Sequence, residues 1–144
     1  MKSIIFVDGH PGVMQHAELL AEVMISNGED VDIVDLSSRM IKPCTGCFHC
    51  WMTTPGICIQ DDDGVDLARK MIAARRVVFA SQVVFGSISH SMKLLIERMI
   101  PNVSPLFEKW RGEYHHKERY PRFPDIAFLG WLPQQDSDTK QVYR

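Results

Sequence analysis

The apolar residues of this chain fall into two patterns, short continuous runs and stripes with a helical repeat. The continuous runs predict strands that are buried on both faces of a sheet. The stripes, in which apolar residues recur at intervals of three and four, predict amphipathic helices between those strands. The predicted strands are residues 3–7, 31–34, 77–80 and 126–129, and the predicted helices cover residues 13–24, 65–72 and 92–99.

Turn and capping residues mark the ends of the predicted helices. Asn27 and Gly28 stop the first helix, the aspartates at 61–63 can cap the second, and Pro101 ends the third. Strands that alternate with helices in this way predict βαβ units and a parallel sheet with helices on both faces. We therefore expect a three-layer, doubly wound α/β protein whose ligands bind beyond the carboxyl ends of the strands.

Composition limits the classes of function. The chain has 144 residues, of which 45% are hydrophobic, and its formal net charge is −2. This length allows one domain with a substantial core, and the near-neutral charge argues against a dedicated nucleic-acid or membrane-surface protein. No apolar run approaches the roughly 18 residues of a membrane span, and residues 1–4 lead into a strand rather than a signal peptide. We expect a cytoplasmic protein with no nucleic-acid or membrane partner.

The predicted domain covers residues 1–132 and contains two unusual segments. One is a cysteine-rich loop at 43–58, and the other is an excursion at 101–124 that is rich in proline and aromatic residues and has no clear period. Within the excursion, basic and aromatic residues at 112–122 alternate with glutamates, which favours a solvated loop over a nucleic-acid site. Residues 133–144 are predicted to be a polar tail.

All four cysteines lie within fifteen residues, in the pattern C-x2-C-x2-C-x7-C. In a reducing compartment such a cluster indicates a metal or redox site rather than a disulfide framework. Consecutive x2 spacings suit a compact iron–sulfur cube, whereas structural zinc more often uses two separate cysteine pairs. Zinc and a metal-free dithiol stay open as alternatives, and His49 is expected near the site rather than as a ligand. The candidate ligands are Cys44, Cys47, Cys50 and Cys58.

The segment around these cysteines resembles a known family. IKPCTGCFHCW at 41–51, followed by TPGIC at 54–58 and DDD at 61–63, closely resembles the cysteine segment of iron–sulfur flavoproteins. These proteins are a branch of the NAD(P)H-dependent FMN reductase family, which has a flavodoxin-like fold. Farther on, SQVVFGSIS at 81–89 is similar to the flavin loop of that family.

The resemblance also implies a phosphate loop after the first strand. In the family, backbone N–H groups at a helix N-terminus and hydroxyl groups hold the FMN phosphate. The corresponding stretch here, GHPGVMQHA at 9–17, keeps the glycine and proline but lacks the usual serine, arginine, asparagine and threonine. His10, Gln15 and His16 can donate to a phosphate in their place, or the two histidines are ordinary surface residues.

The second flavin loop departs from the pattern as well, since Gln82 and Val84 replace the usual proline and tyrosine. FMN contacts, mostly through backbone N–H groups, are expected in both loops. The expected contact residues are Gly9, His10, Pro11, Gly12, Ser81, Phe85, Gly86 and Ser87.

These features lead to two functional hypotheses. The first is a flavin-dependent oxidoreductase or electron-transfer protein that resembles the NAD(P)H-dependent FMN reductases. In it FMN takes electrons from a nicotinamide or another redox partner, and a 4Fe-4S cluster on the four cysteines exchanges single electrons. Because both flavin loops depart from the family pattern, the second hypothesis is a flavin-free member that binds a metal or a partner without catalysis.

The number of strands adds an expectation about assembly. A flavodoxin-like sheet has five strands in the order 2-1-3-4-5, and this sequence provides only four. The fourth strand would then lie at an exposed edge, and such an edge usually needs a cover. Residues 101–124 or a partner subunit are the candidates, and we expect a homo-oligomer, either a dimer or a tetramer.

Overall fold

A computed structural model describes residues 2–132, and the predicted polar tail lies outside the described residues. Helices and strands alternate along the first part of the chain, as the hydrophobic pattern predicts. The strands are β1 (Ser3–Val7), β2 (Val31–Asp35), β3 (Arg76–Val84), β4 (Ser87–Ile88), β5 (Phe107–Trp110), β6 (Glu113–His116) and β7 (Asp125–Trp131). The helices are α1 (Pro11–Ser26), α2 (His49–Met52), α3 (Asp63–Ala73) and α4 (His90–Glu97).

A mainly parallel sheet with strand order β2-β1-β3-β7 forms the centre of the fold, which confirms the predicted α/β class. Ile5 of β1 lies opposite Ile33 of β2 and Val78 of β3. All five residues of β1 are buried, as expected for a strand with a neighbour on each side. Within residues 2–132 the parallel part of the sheet consists of these four strands.

Helix α1 covers one face of this sheet. Its buried residues Val13, Ala17, Ala21 and Met24 recur at intervals of three and four and pack in one cluster with Ile5, Val7, Val78 and Ala80. Pro11 occupies the first turn, where a missing backbone N–H costs nothing, and Gly28 follows the last turn with φ 83°. The period of the stripe therefore determines which side of the helix meets the sheet.

The chain divides into two compact units. Among the described residues, the sheet unit comprises 2–39, 73–93 and 124–132, and the cysteine unit comprises 40–72 and 94–123. In the cysteine unit, the excursion that was expected to be irregular contains a short 3-10 helix, Ile100–Asn102, and an antiparallel hairpin of β5 and β6. Every residue of these two strands is exposed, so the hairpin carries no buried stripe that the sequence pattern could reveal.

Strand β7 is the least buried strand of the parallel sheet. It pairs with β3 along seven residues, and Ile126 and Phe128 are 49% and 58% exposed. Phe128 packs against the ring of Phe79, with 5.2 Å between the centroids. The predicted exposure of the fourth strand is thus observed. Among the described residues, no helix is long and apolar enough to cross a membrane.

Candidate functional site

The four cysteines of the cysteine unit line one pocket that opens to solvent. Cys50 is buried, Cys44 and Cys58 are half-buried, and Cys47 is exposed. Arg98 and Glu97 are the only charged side chains that line this pocket. The structure therefore brings together all four predicted ligands, together with one cation.

Two aspartates close the base of the loop that carries the cysteines. Asp63 accepts a hydrogen bond from the backbone N–H of Met40 (2.7 Å), and Asp62 accepts one from that of Lys42 (2.9 Å). Asp62 also caps α3 by accepting from the N–H of Gly64 (3.0 Å). The predicted cap at 61–63 thus has a second role, because it also ties the two ends of the cysteine loop together.

A buried ion pair lies beside the pocket. Arg98 Nη1 is 2.7 Å from Asp62 Oδ2 and Nη2 is 2.9 Å from Oδ1, and the two side chains are 1% and 0% exposed. Nη1 also donates to the carbonyl of Lys42 (2.8 Å). Nε is buried and has no hydrogen-bond partner. A buried donor without an acceptor costs about 1–3 kcal/mol, so this orphan N–H is a candidate for a ligand contact.

Charge and burial act in opposite directions on this pair. Burial alone would raise the pKa of Asp62, but the hydrogen bonds from Arg98 and from the N–H of Lys42 lower it. Burial likewise opposes the charge of Arg98, while the hydrogen bonds to Asp62, the negative charges of Cys58 and Asp62 and a hydrogen bond to the Cys58 side chain raise its pKa. Both groups are therefore held in their charged forms.

The thiols differ in how readily they ionise. The backbone N–H of His49, assisted by the Thr45 side chain, lowers the pKa of Cys47. Burial raises the pKa of Cys50, and the negative charges of Cys58, Cys44 and Cys47 raise it further. These mutual effects indicate that the four sulfurs share one local environment.

The donor set of this pocket is what a sulfur-bound centre requires. Among the described residues, no group of three or more His, Cys, Asp or Glu side chains is arranged around a point that could hold a single metal ion. Four thiols around an open pocket instead suit a larger group that binds one thiolate at each corner. Four cysteines lining one pocket are donors of the kind that an iron–sulfur cluster uses.

The sheet unit carries the predicted phosphate loop between β1 and α1. His10 is the N-cap of α1, and its Nδ1 accepts from the N–H of Gly12 (3.1 Å). The indole of Trp131 packs on His10, with 4.4 Å between the ring centroids. A Cβ at position 12 would lie 2.5 Å from Trp131, so only glycine allows this approach. His10 and Trp131 therefore cover the N-terminus of α1.

This arrangement limits how the loop can bind a phosphate. The N–H of Gly12 already has an acceptor, and that of Val13 donates to the carbonyl of His10 (3.0 Å). With Nδ1 accepting, the ring hydrogen of a neutral His10 lies on Nε2, so this atom is one donor that the loop can offer to a phosphate.

Asp8, which the sequence analysis did not single out, organises the carboxyl end of β1. Its Oδ2 accepts from the N–H of Gln82 (2.7 Å) and the hydroxyl of Ser81 (3.2 Å), and its Oδ1 accepts from the N–H of His10 (3.0 Å). Ser91 donates to its carbonyl (2.9 Å). An aspartate directly after a buried parallel strand was the available signal, since that position lies at the ligand-binding edge.

This hydrogen-bond network includes Ser81, which was predicted to contact FMN. Its side chain is 1% exposed, and its hydroxyl lies 3.1 Å from that of Ser89 and accepts from the Ser89 N–H (2.9 Å). Ser81 is therefore bonded within the protein and does not face solvent. The other predicted residues of both loops belong to the same unit and are at least partly accessible.

The second flavin loop is a two-residue turn between β3 and β4. Phe85 and Gly86 both have positive φ, 49° and 73°, as a type I′ turn requires. The ring of Phe85 is fully exposed. A bulky residue in the left-handed region costs about 1–2 kcal/mol, so this turn presents a ring to solvent at the expense of stability.

Comparison with known proteins places these two sites in context. The family described as NADPH-dependent FMN reductase matches residues 12–115. An iron–sulfur flavoprotein of Archaeoglobus fulgidus is 37% identical over 76 residues, which is 53% of this chain and 34% of that protein. An iron–sulfur flavoprotein of Methanocaldococcus jannaschii is 28% identical over 102 residues, or 68% of this chain and 52% of that protein. The chain thus spans about a third to a half of the length of these curated relatives.

Among solved structures, the fold is similar to that of an azoreductase from Bacillus anthracis str. Sterne. The TM-score is 0.59 at 14% sequence identity, and the match covers 90% of this chain and 68% of the azoreductase. At this identity the likeness concerns the fold alone, and it agrees with the flavodoxin-like architecture expected from the sequence.

Proposed function

Because the chain belongs to the NADPH-dependent FMN reductase family, we propose that it is a flavin-dependent oxidoreductase that also carries an iron–sulfur centre. The observation that carries this proposal is the convergence of all four cysteines on one pocket. The names of the two curated relatives, both iron–sulfur flavoproteins, support the same combination of cofactors.

Each candidate site has a definite role in this proposal. Cys44, Cys47, Cys50 and Cys58 would hold a 4Fe-4S cluster, which supplies one-electron transfer when bound. FMN would lie at the two loops of the sheet unit and supply two-electron chemistry, with NAD(P)H or another redox partner as the electron source. The protein itself holds the thiolates, keeps a fixed cation beside them and offers the His10 imidazole and the Phe85 ring to the flavin.

Anaerobic reconstitution with iron and sulfide tests the cluster. We expect four iron and four sulfide per chain and a broad visible absorbance, all of which Cys47→Ser should abolish. Cys47 is exposed, so the substitution leaves the core intact. His49→Ala is the matched control and should retain the iron. Undiminished iron in the Cys47→Ser protein, or stoichiometric zinc in a colourless wild-type protein, would overturn the assignment.

A second candidate function is favoured by the covered N-terminus of α1. A family member that has lost flavin would have no use for free amides at this loop, and here the Gly12 N–H is taken by His10. Such a protein would bind its metal or a partner without catalysis. Titration with FMN separates the two functions, because quenching of flavin fluorescence at a one-to-one ratio supports the first, and no binding at millimolar FMN supports the second.

The exposed strand β7 supports a proposal about assembly. Ile126 and Phe128 present apolar surface that a partner subunit would bury, so we expect a dimer or tetramer. Sedimentation that shows a monomer would contradict this expectation. A cytoplasmic location accords with the whole proposal, because clustered thiolate ligands persist in a reducing compartment.

A further inference from the structure

We propose that Arg98 is a positioning residue that raises the reduction potential of the centre bound by the four cysteines. It does so by holding a fixed positive charge and an unused N–H beside the pocket. This inference rests on the proposed function, since it concerns a centre carried by Cys44, Cys47, Cys50 and Cys58.

The first step is that the charge is fixed in place. Three hydrogen bonds of 2.7–2.9 Å join the guanidinium to the Asp62 carboxylate and the carbonyl of Lys42. The side chain is 1% exposed, so water does not screen it well. Asp62 is held in turn by the N–H groups of Lys42 and Gly64. The position of the cation is therefore determined before any cofactor binds.

The second step concerns the orphan donor. Nη1 and Nη2 are occupied, whereas Nε is buried and has no acceptor. Arg98 lines the same pocket as the four cysteines, and both the charge of Cys58 and a weak hydrogen bond to its side chain raise the pKa of Arg98, so this sulfur is the nearest acceptor although no full hydrogen bond to Nε forms. A bound cluster would bring further sulfur acceptors into this pocket. Hydrogen bonds to the sulfurs are one of the means by which proteins tune such centres.

The third step is electrostatic. With a cluster bound, four thiolate ligands would make the pocket strongly negative, and one-electron reduction would add another negative charge. A nearby buried cation stabilises the reduced form more than the oxidised form. Glu97, the other charged residue of the lining, has the opposite sign. Arg98 is thus the charge that makes reduction easier.

Two substitutions test this inference because they change the local charge in opposite directions. Arg98→Met removes the positive charge, and Asp62→Asn removes the negative charge that partly offsets it. After anaerobic reconstitution, the potential is measured by titration with dithionite, which supplies the electron. We expect Arg98→Met to lower the ratio of reduced to oxidised centre, measured at the wild-type midpoint potential, about tenfold, which corresponds to 59 mV for one electron. Asp62→Asn should shift the potential the other way.

A surface charge in the same unit provides the matched control. Lys70→Met removes one positive charge from the exposed pair with Asp66 and should leave the potential unchanged. If Arg98 has only a structural role, the reduction potentials of Arg98→Met and Asp62→Asn should shift in the same direction, or the two variants should only bind less iron. Either result would overturn the inference. If Arg98→Met does not fold, Asp62→Asn alone tests the inference. An Asp62→Asn protein whose reduction potential is lower than that of the wild type, or equal to it, would overturn the inference. A wild-type protein that takes up no iron would overturn the proposed function itself, whereas loaded variants with equal potentials would overturn this inference alone.

Discussion

The cysteine pocket and the phosphate loop treat their polar groups in opposite ways. In the pocket, four thiols and the Arg98 Nε–H lie together without internal hydrogen-bond partners for that N–H. In the phosphate loop, the Gly12 N–H, the Asp8 carboxylate and the Ser81 hydroxyl all bond within the protein. The cysteine pocket is left with polar groups that need a ligand, whereas most polar groups of the phosphate loop have hydrogen-bond partners within the protein.

This difference between the cysteine pocket and the phosphate loop follows how closely each segment resembles its family motif. The cysteine segment resembles the family motif closely, and its thiols line an open pocket. The phosphate loop lacks the hydroxyl residues of the motif that it resembles, and a histidine and a tryptophan cover the helix end. The loop that departs from the motif is thus also the loop in which protein groups occupy the position of a ligand. The affinity for flavin is therefore the first quantity to measure.

The largest expected effect concerns the buried ion pair. Arg98→Met leaves the Asp62 carboxylate buried without its partner and should lower the free energy of unfolding by about 3–5 kcal/mol at neutral pH. Because the folded-state pKa of Asp62 is lowered, its contribution is present above its usual value of 3.8 and is lost as the pH falls through the lowered pKa. The gap between wild type and variant should therefore narrow in acid.

Urea unfolding between pH 3 and 7 measures this gap. Lys70→Met removes an exposed partner of Asp66 and should cost about 1 kcal/mol or less at every pH. A cost of similar size for Arg98→Met would mean that the pair is not buried as described.

The next effect tests the cover on the phosphate loop. Gly12→Ala would place a methyl group 2.5 Å from the Trp131 ring and should destabilise the protein by about 1–3 kcal/mol. Adding Trp131→Leu should recover most of that loss, because the smaller side chain leaves room. Urea unfolding of the single and double variants provides the measurement, and an unperturbed Gly12→Ala protein would show that the indole does not lie there.

A smaller effect decides the role of His10. If its Nε2–H meets the phosphate, His10→Ala should weaken FMN binding about tenfold, as expected for one charge-assisted hydrogen bond. His115→Ala, on the exposed hairpin of the cysteine unit, is the control and should bind FMN as the wild type does. Fluorescence titration that finds tighter binding by His10→Ala would show instead that the imidazole only blocks the Gly12 N–H.

The smallest effect is at the turn of the second loop. Phe85→Gly relieves a left-handed residue and should raise stability by up to about 1 kcal/mol. It should also weaken FMN binding if the exposed ring contacts the flavin. Thermal unfolding and FMN titration of the same protein separate these outcomes, and Gly86→Ala, at φ 73°, should lower stability instead. A lower stability of the Phe85→Gly protein would contradict the inference that Phe85 is strained by its left-handed backbone conformation.

The central sheet could be predicted because its strands are buried on both faces. The sequences of such strands are continuous apolar runs, as in β1 and the first half of β3. The end of β3 was missed because Ser81 and Gln82 are polar, yet both bond to Asp8. The β5–β6 hairpin was missed because its residues are exposed and its turn at Arg111 depends on positive φ.

The candidate site could be predicted only where its residues are close in sequence. The four cysteines fall within one segment, and the structure brings them to one pocket. Arg98 lies 36 residues from Asp62, and Ser81 lies 73 residues from Asp8. Partnerships of this kind depend on strand register and helix packing, and one sequence does not encode them as a local pattern.

Strand β7 has a consequence for how the protein behaves at high concentration. Its seven residues pair with β3 on one side, and within the described chain no strand pairs with the other side. An open row of backbone donors and acceptors beside apolar side chains is a template on which further strands can add. Wherever β7 is not covered by a partner subunit, concentrated solutions should therefore be prone to edge-to-edge growth into fibrils, which Ile126→Lys would suppress by placing a charge on the exposed strand.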